Sequence, residues 1–186
     1  MYRKEIALSR EKEYNEYIDA HVKNVIESWK RFLKPALLFY MDKLGISIDD
    51  IKKAQIAIKS HDASKWSEEE YIGYLHYFYP EADADLKQAE KEMDYAWLHH
   101  QNTNPHHWQY YVLIRDNSKA TLLDMPFEYI CEMLCDWHSF SKKDPTSTAA
   151  NWYSKNKDKM MLSDNTRQVV EKLLTYMTKP LAEDNK

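Results

Sequence analysis

Glycine scarcity is the feature that most restricts how this chain can fold. Only 2 of its 186 residues are glycine. Tight β-hairpin turns, Rossmann phosphate loops and P-loops need glycine at backbone angles that other residues avoid. The sequence therefore nearly rules out these structures and favours a chain built of helices.

Apolar residues recur at helical spacing along most of the chain, as in Ile18, Val22 and Val25. Ser67 followed by Glu70 predicts a capping box at the start of one helix. With no internal repeat or long linker, we expect one all-α domain over 1–186, with a core at about 10–142 and C-terminal helices over 146–180 packed on it. The pattern predicts a bundle of seven to nine helices, in segments near 10–33, 36–44, 51–61, 67–79, 84–100, 106–114, 126–140, 149–157 and 165–178.

The charge balance and the cysteine count limit the possible partners. Lys plus Arg is 26 and Asp plus Glu is 30, a net charge of −4 that argues against nucleic-acid binding by bulk charge. No apolar run approaches the roughly 18 residues of a membrane span, and Met1–Arg10 lacks the apolar block of a signal peptide. The 2 cysteines cannot form a disulfide framework. We therefore expect a cytoplasmic protein with no membrane partner, while its oligomeric state stays open.

The 8 histidines are concentrated in a few places. His21 shares a helix side with Ile18 and Val25, so its ring is either a satisfied core group or a ligand. His61 extends an apolar stripe, is followed directly by Asp62, and Lys65 comes three residues later. An imidazole, a carboxylate and an ammonium together are typical of metal ligands beside an anion-binding group, although they also occur at ordinary helix ends.

Four histidines flank a turn in the middle of the chain, as the pairs His99-His100 and His106-His107. Histidine is a common metal ligand because its neutral form is available near pH 7. Adjacent side chains point in different directions, so we expect one ligand from each pair. Helical spacing favours His100 and, more weakly, His107, but the sequence does not decide either pair.

Asp136 lies within an apolar helical segment, between Cys135 and Trp137. An ionised carboxylate in such a place needs a partner, and a metal ion would supply one. Cys131 and Cys135 are interpreted as core residues because no second thiol pair accompanies them.

In chain order, His21, His61-Asp62, His100, His107 and Asp136 resemble the ligand set of the HD-domain superfamily of metal-dependent phosphohydrolases. The resemblance spans about 20–138 and includes Lys65 downstream of the His-Asp doublet. No Gly-Tyr-Pro follows the histidines, which argues against the cyclic-dinucleotide hydrolases of that superfamily. The resemblance implies an all-α fold and does not identify the individual substrate.

The resemblance also implies roles for individual residues. His21, His61, Asp62 and Asp136 would bind one divalent ion, and Asp62 would bridge to a second ion bound by His100 and His107. Mixed nitrogen and oxygen ligands suit Mn, Fe, Co, Ni or Zn. Water activated by the metal would attack a phosphomonoester or nucleotide, with Asp62 and Lys65 as catalytic residues. Lys65, His99 and His106 are the predicted contacts to this small phosphorylated substrate.

Two other functions fit the same residues. Some two-metal HD proteins with this ligand order are mixed-valent di-iron oxygenases, which iron content and oxygen consumption would reveal. The chain could instead be a non-catalytic helical binding module with a vestigial metal site, since aromatic residues make up 13% of it. The presence of every expected ligand, and of Lys65, argues against the binding module, whereas the ligand order does not separate the oxygenase from the hydrolase, which we favour.

Overall fold

The computed structural model describes residues 2–178, with side chains from Ser9 onwards. The prediction of an all-α fold is confirmed, because helices dominate and the only strands in this range form a small pair. The α-helices are α1 (Tyr2–Ser28), α2 (Lys34–Phe39), α3 (Met41–Leu44), α4 (Ile48–Lys59), α5 (Glu68–Phe78), α6 (Leu86–Thr103), α7 (Phe127–Ser139), α8 (Ala149–Asn156) and α9 (Asp164–Thr178).

The first helix runs into the second through a wider turn. The segment Trp29–Leu33 is a π-helical turn, and Pro35 follows in the first turn of α2. Proline has no backbone N–H to continue the hydrogen-bond ladder, which fits its place at the change from π-helical to α-helical hydrogen bonding. Gly45 ends α3 in the left-handed conformation, with φ of 68°.

Helix α7 lies at the centre of the molecule and packs against α1, α4, α8 and α9. Most of its apolar side chains are almost fully buried, Leu134 and Cys135 among them. The position of α7 matters for the site because it carries Asp136 into the middle of the bundle.

Helices α5 and α6 form a close antiparallel pair beside this core. Gly73 allows the approach, since a Cβ atom on it would lie 2.7 Å from the Ala96 Cβ and 2.7 Å from the Glu92 carbonyl oxygen. The contact aligns the end of α6, which carries His99 and His100, with the start of α5.

The structure departs from the sequence prediction after α6. The predicted helix over 106–114 is wrong: a 3₁₀ turn at Trp108–Tyr111 leads into β1 (Val112–Leu113), which pairs antiparallel with β2 (Thr121–Leu122). The expectation that hairpins are nearly excluded is therefore wrong for this short pair. Its connection is long enough to close without glycine, and the positive φ angles in the described range fall at Gly45 and Asp62.

The predicted domain covers 1–186, and its predicted C-terminal helices extend to 180. Residues 1 and 179–186 lie outside the described residues. Among residues 2–178, no helix combines the length and apolar character needed to cross a membrane.

Candidate metal centre

The His61-Asp62 doublet lies in a turn just beyond the end of α4. The helix ends at Lys59, and Asp62 adopts φ of 56° and ψ of 24°, the left-handed region that non-glycine residues rarely occupy. Neighbouring side chains on a regular helix diverge by about 100°, so the two groups of a doublet inside the helix would point in different directions. The left-handed turn allows both to face the interior, and we interpret this backbone strain as a feature of the site.

Four side chains from three parts of the chain converge at this turn. The His21 Nε2 atom, from α1, lies 3.2 Å from His61 Nε2, 3.4 Å from Asp62 Oδ2 and 3.3 Å from Asp136 Oδ1. His61 Nε2 lies 3.4 Å from Asp62 Oδ2 and 3.8 Å from Asp136 Oδ1. We call these four atoms the first donor group.

The spacing within the first donor group fits one small cation. Donor atoms bound at about 2.1 Å in tetrahedral geometry lie about 3.4 Å from one another. The separations of 3.2–3.8 Å between these atoms lie around that value. A cation between the four atoms would also separate histidine nitrogens that otherwise face each other at hydrogen-bond distance.

A second donor group adjoins the first on the other side of Asp62. Asp62 Oδ1 lies 3.3 Å from His100 Nε2 and 3.5 Å from His106 Nε2. Together with a ring nitrogen of His107, these donor atoms all lie within 4.8 Å of one another. Asp62 thus presents one carboxylate oxygen to each donor group, and buried His and Asp side chains here could hold metal.

Unpartnered atoms in the second donor group provide a further test of this fit. Asp62 Oδ1, His106 Nε2 and His107 Nε2 are buried and have no hydrogen-bond partner within the described part of the chain. Buried polar atoms without partners are unfavourable and rare in native proteins. All three are electron-pair donors in the forms that bind metals, so one cation would satisfy them together.

Two buried glutamates orient the histidines through contacts with their Nδ1 atoms. Glu132 Oε1, from α7, lies 2.8 Å from His61 Nδ1 and 3.1 Å from His106 Nδ1. Glu70 Oε2, from α5, lies 2.7 Å from His100 Nδ1. A carboxylate that accepts the Nδ1–H bond leaves the Nε2 lone pair facing the donor groups, as in many histidine metal sites.

The electrostatics of the first donor group favour positive charge. Burial would lower the pKa of His21, but hydrogen bonds to Asp136 and Asp62 raise it to about 9. Burial would raise the pKa of Asp62, but the charges of His61 and Lys65 hold it well below its usual value. Burial likewise opposes the ionisation of Asp136, whereas the hydrogen bond from His21 lowers its pKa. Both carboxylates are therefore anionic at neutral pH.

The second donor group differs in its protonation. Burial, with the nearby His106 and His100, lowers the pKa of His107 to about 2. His107 is therefore a neutral imidazole at physiological pH, the form that can bind a metal.

Lys65 joins the centre from the 3₁₀ turn Ala63–Trp66. Its Nζ atom lies 2.7 Å from Asp62 Oδ2 and 5.6 Å from the centre of the Tyr74 ring. Burial would lower the pKa of Lys65, but the adjacent Asp62 carboxylate raises it. The ammonium is thus charged at the edge of the first donor group.

The structure brings together all six predicted ligands, namely His21, His61, Asp62, His100, His107 and Asp136. It also places His106 in the second donor group, so both members of the pair that the sequence leaves open are present there. His99 instead lies on the outer side of Glu70, with its Nδ1 atom 2.9 Å from Glu70 Oε1 and 36% of its side chain exposed. Substrate contacts by His99, His106 and Lys65 stay predictions.

Sequence reasoning missed both orienting glutamates. Glu70 was expected to complete a capping box with Ser67, but Ser67 makes no side-chain cap bond and Glu70 is fully buried against the histidines. Glu132 precedes Asp136 by four residues in the same apolar helix, so the two carboxylates share a face. That spacing was the available signal for Glu132.

Comparison with models of known families identifies a family for this chain. The model of a family described as "Family of unknown function (DUF5662)" matches residues 10–176, which include every donor residue named above. Neither the curated proteins nor the solved structures gave a match.

Proposed function

The chain belongs to the Family of unknown function (DUF5662), and from its buried centre we propose that it is a metal-dependent phosphohydrolase of the HD type acting on a phosphomonoester or nucleotide. The observation that carries the proposal is the position of Asp62. Its two oxygens face separate donor groups, with His21 3.4 Å from Oδ2 and His100 3.3 Å from Oδ1. This arrangement suits adjacent divalent ions that share one carboxylate.

The donor set suits Mn, Fe, Co, Ni or Zn, because it combines imidazole nitrogens with carboxylate oxygens. Divalent ions bound there would polarise a phosphoryl oxygen and lower the pKa of a bound water towards neutrality. The first donor group would use His21, His61, Asp62 and Asp136. The second would use Asp62 with the three histidines His100, His106 and His107.

The positive charge of Lys65 would attract an anionic substrate to the centre. An ammonium has three N–H donors, and the contact of 2.7 Å with Asp62 Oδ2 uses one of them. We expect the others to donate to oxygens of a phosphoryl group beside the first donor group. Lys65 would then offset the negative charge that Asp62 and Asp136 otherwise present to a phosphate.

Hydrolysis would join the water oxygen to phosphorus, break the ester P–O bond and deliver a proton to the departing alcohol. Asp136 retains 16% exposure of its side chain, more than His21, His61 or Asp62. The carboxylate of Asp136 therefore marks the side of the centre that water and substrate can reach.

The test is metal analysis of protein purified without a histidine tag or chelator. We expect about one or two transition-metal ions per chain in the wild type, and their loss in Asp62→Ala. His76→Ala is the matched control, since His76 pairs with Glu92 at 2.6 Å outside the donor groups. We expect this control to keep its metal.

Activity distinguishes the proposed function from its alternatives. Hydrolysis of p-nitrophenyl phosphate or a nucleotide by the wild type, lost in Lys65→Met while metal is retained, would support the proposal. Bound iron with oxygen consumption and no phosphatase activity would replace it with the oxygenase. Absence of metal after reconstitution would leave a helical binding module.

A further inference from the structure

A small cavity lies beside His21, one of the residues of the first donor group. Its volume is about 30 Å³, room for about two water molecules, so it can take one compact group. The other lining side chains come from α1 and from the chain at and just after the end of α7, namely Tyr17, Ala20, Asn24, Ser139, Phe140 and Lys143. A group bound in this cavity would therefore lie against His21.

The polar side chains around this cavity suit an anion. Apart from His21, they carry an ammonium, which belongs to Lys143, two hydroxyls and one amide, and none of them is a carboxylate. Lys143 Nζ lies 5.2 Å from the centre of the Tyr17 ring, and Lys143 has no ion pair within the part of the chain that the structure describes. The adjacent Lys142 differs, because its ammonium pairs with Glu27. The cavity therefore offers an unpaired cation, together with hydrogen-bond donors, to the oxygens of an anion.

The Nδ1 atom of His21 lacks the partner that other histidines of the centre have. His61 and His100 contact buried glutamates through Nδ1. The contacts of His21 with its donor group all use Nε2, and its Nδ1 atom has no hydrogen-bond partner among the described residues. This Nδ1 atom is not one of the unpartnered polar atoms that are closed off from solvent, so an acceptor can reach it. A metal ion at Nε2 leaves the proton on Nδ1, which then needs such an acceptor.

The nearby carboxylates link anion binding to metal binding. Asp62 Oδ2 and Asp136 Oδ1 lie 3.4 and 3.3 Å from His21 Nε2, so their charges would repel an anion in the metal-free protein. A divalent ion between them offsets both charges and leaves the ammonium of Lys65 in excess. An anion beside His21 is therefore expected to bind more tightly once the metal is present.

We propose that this cavity binds a compact oxyanion, which Lys143 holds and which accepts a hydrogen bond from His21 Nδ1. The oxyanion would orient His21 for the metal, as Glu132 and Glu70 orient other histidines of the centre. It is either a separate small anion or an acidic group of the substrate, since the same contacts serve both. The proposal rests on the metal centre of the proposed function, but not on phosphate hydrolysis.

Sulfate is the probe, because it is a compact oxyanion that the protein would not hydrolyse. Zinc affinity is measured by competition with a chelator, in sodium sulfate and in sodium chloride of the same ionic strength. We expect sulfate to raise the affinity of the wild type for one zinc ion about tenfold. This is the lower end of the range for an orienting partner, about 10- to 100-fold, because Lys143 is exposed to solvent.

Lys143→Met removes the ammonium from the cavity. Lys142→Met is the matched control on the preceding residue, whose ammonium pairs with Glu27 instead. We expect the sulfate effect to be lost in Lys143→Met and retained in Lys142→Met. Calorimetric titration of the zinc-loaded proteins with sulfate should show about tenfold weaker binding to Lys143→Met. In chloride, all three proteins should bind zinc equally.

The kinetics of p-nitrophenyl phosphate hydrolysis distinguish the two sources of the oxyanion. Competition by sulfate that disappears in Lys143→Met would assign the cavity to an acidic group of the substrate. An unchanged KM, together with the raised zinc affinity, would assign it to a separate anion. Both results support an oxyanion at Lys143.

Two results would overturn the inference. One is a zinc affinity that does not respond to sulfate, and the other is a sulfate effect that persists in Lys143→Met, which would place the sulfate on the metal itself. Failure of the proposed function looks different, because zinc and sulfate binding could be coupled in a protein that hydrolyses no phosphate ester. Phosphatase activity without the sulfate effect would refute the anion cavity alone. A protein that takes up no zinc, and whose sulfate binding does not depend on Lys143, would refute both.

Discussion

Glu132→Gln is expected to weaken both proposed metal sites at once. One carboxylate oxygen, Glu132 Oε1, contacts the Nδ1 atoms of His61 at 2.8 Å and His106 at 3.1 Å. These histidines belong to different donor groups. The glutamine retains the size of the side chain but removes the charge that makes each imidazole a stronger ligand.

The expected magnitude follows from the number of contacts. Loss of one orienting partner lowers metal affinity about 10- to 100-fold, or about 1.4–2.7 kcal/mol. Glu132→Gln affects one histidine of each donor group, so we expect a loss of this size for both ions. Glu70→Gln affects His100 alone among the ligands, through a contact of 2.7 Å, so we expect the main loss at the second donor group.

Competition with a metal chelator, followed by titration calorimetry, measures both affinities in each variant. Glu92→Gln is the matched control, because Glu92 contacts His76 away from the centre. The reasoning is refuted if Glu132→Gln weakens one ion only, or if Glu70→Gln weakens both ions as strongly as Glu132→Gln. Circular dichroism before metal addition would show whether the variants share the wild-type fold.

Three further predictions concern the fold. Gly73→Ala should lower the free energy of unfolding by about 2 kcal/mol, because the new Cβ would lie 2.7 Å from the Ala96 Cβ. Urea denaturation measures this loss, and an unchanged midpoint would contradict the close packing of α5 and α6. Gly45→Ala should cost about 1 kcal/mol in the same assay, since alanine is strained at φ of 68°, although nothing lies within 4 Å of the added methyl. Cys131 and Cys135 should resist alkylation at pH 8 until denaturant is added, because burial raises the pKa of both thiols. Mass spectrometry measures the labelling, and rapid labelling of the native protein would be inconsistent with their burial.

Several site residues could be predicted because they lie on regular helices with clear apolar faces. His21, His100 and Asp136 each lie on a helix side that also carries buried apolar residues. Periodicity assigns such side chains to the interior, and a polar group there needs a chemical reason.

Helical periodicity could not show which histidine of the pair after α6 faces the centre. His106 and His107 lie in an irregular segment before a 3₁₀ turn, so helical spacing gives no information about their directions. The choice of one ligand from this pair therefore rested on a helix that does not form, and the structure places both rings at the centre.

The turn at Asp62 and the burial of Glu70 could not be predicted from local sequence either. A left-handed aspartate is set by the tertiary packing around it, and local sequence carries little sign of it. Ser67 and Glu70 match a local capping pattern, but the Glu70 carboxylate instead forms a hydrogen bond with His100, which is distant in sequence. Local patterns fail here because distant partners satisfy the same groups better.

The two oxygens of Asp62 have a thermodynamic consequence for ion binding. An ion bound at Oδ2 would fix the carboxylate whose Oδ1 lies 3.5 Å from His106 Nε2 in the second group, and it would also place positive charge nearby. If both groups bind ions as proposed, occupancy of one group would change the affinity of the other, and linkage requires this factor to be identical whichever ion binds first. The two sites would then titrate as one coupled system, and their affinities would be properties of the pair.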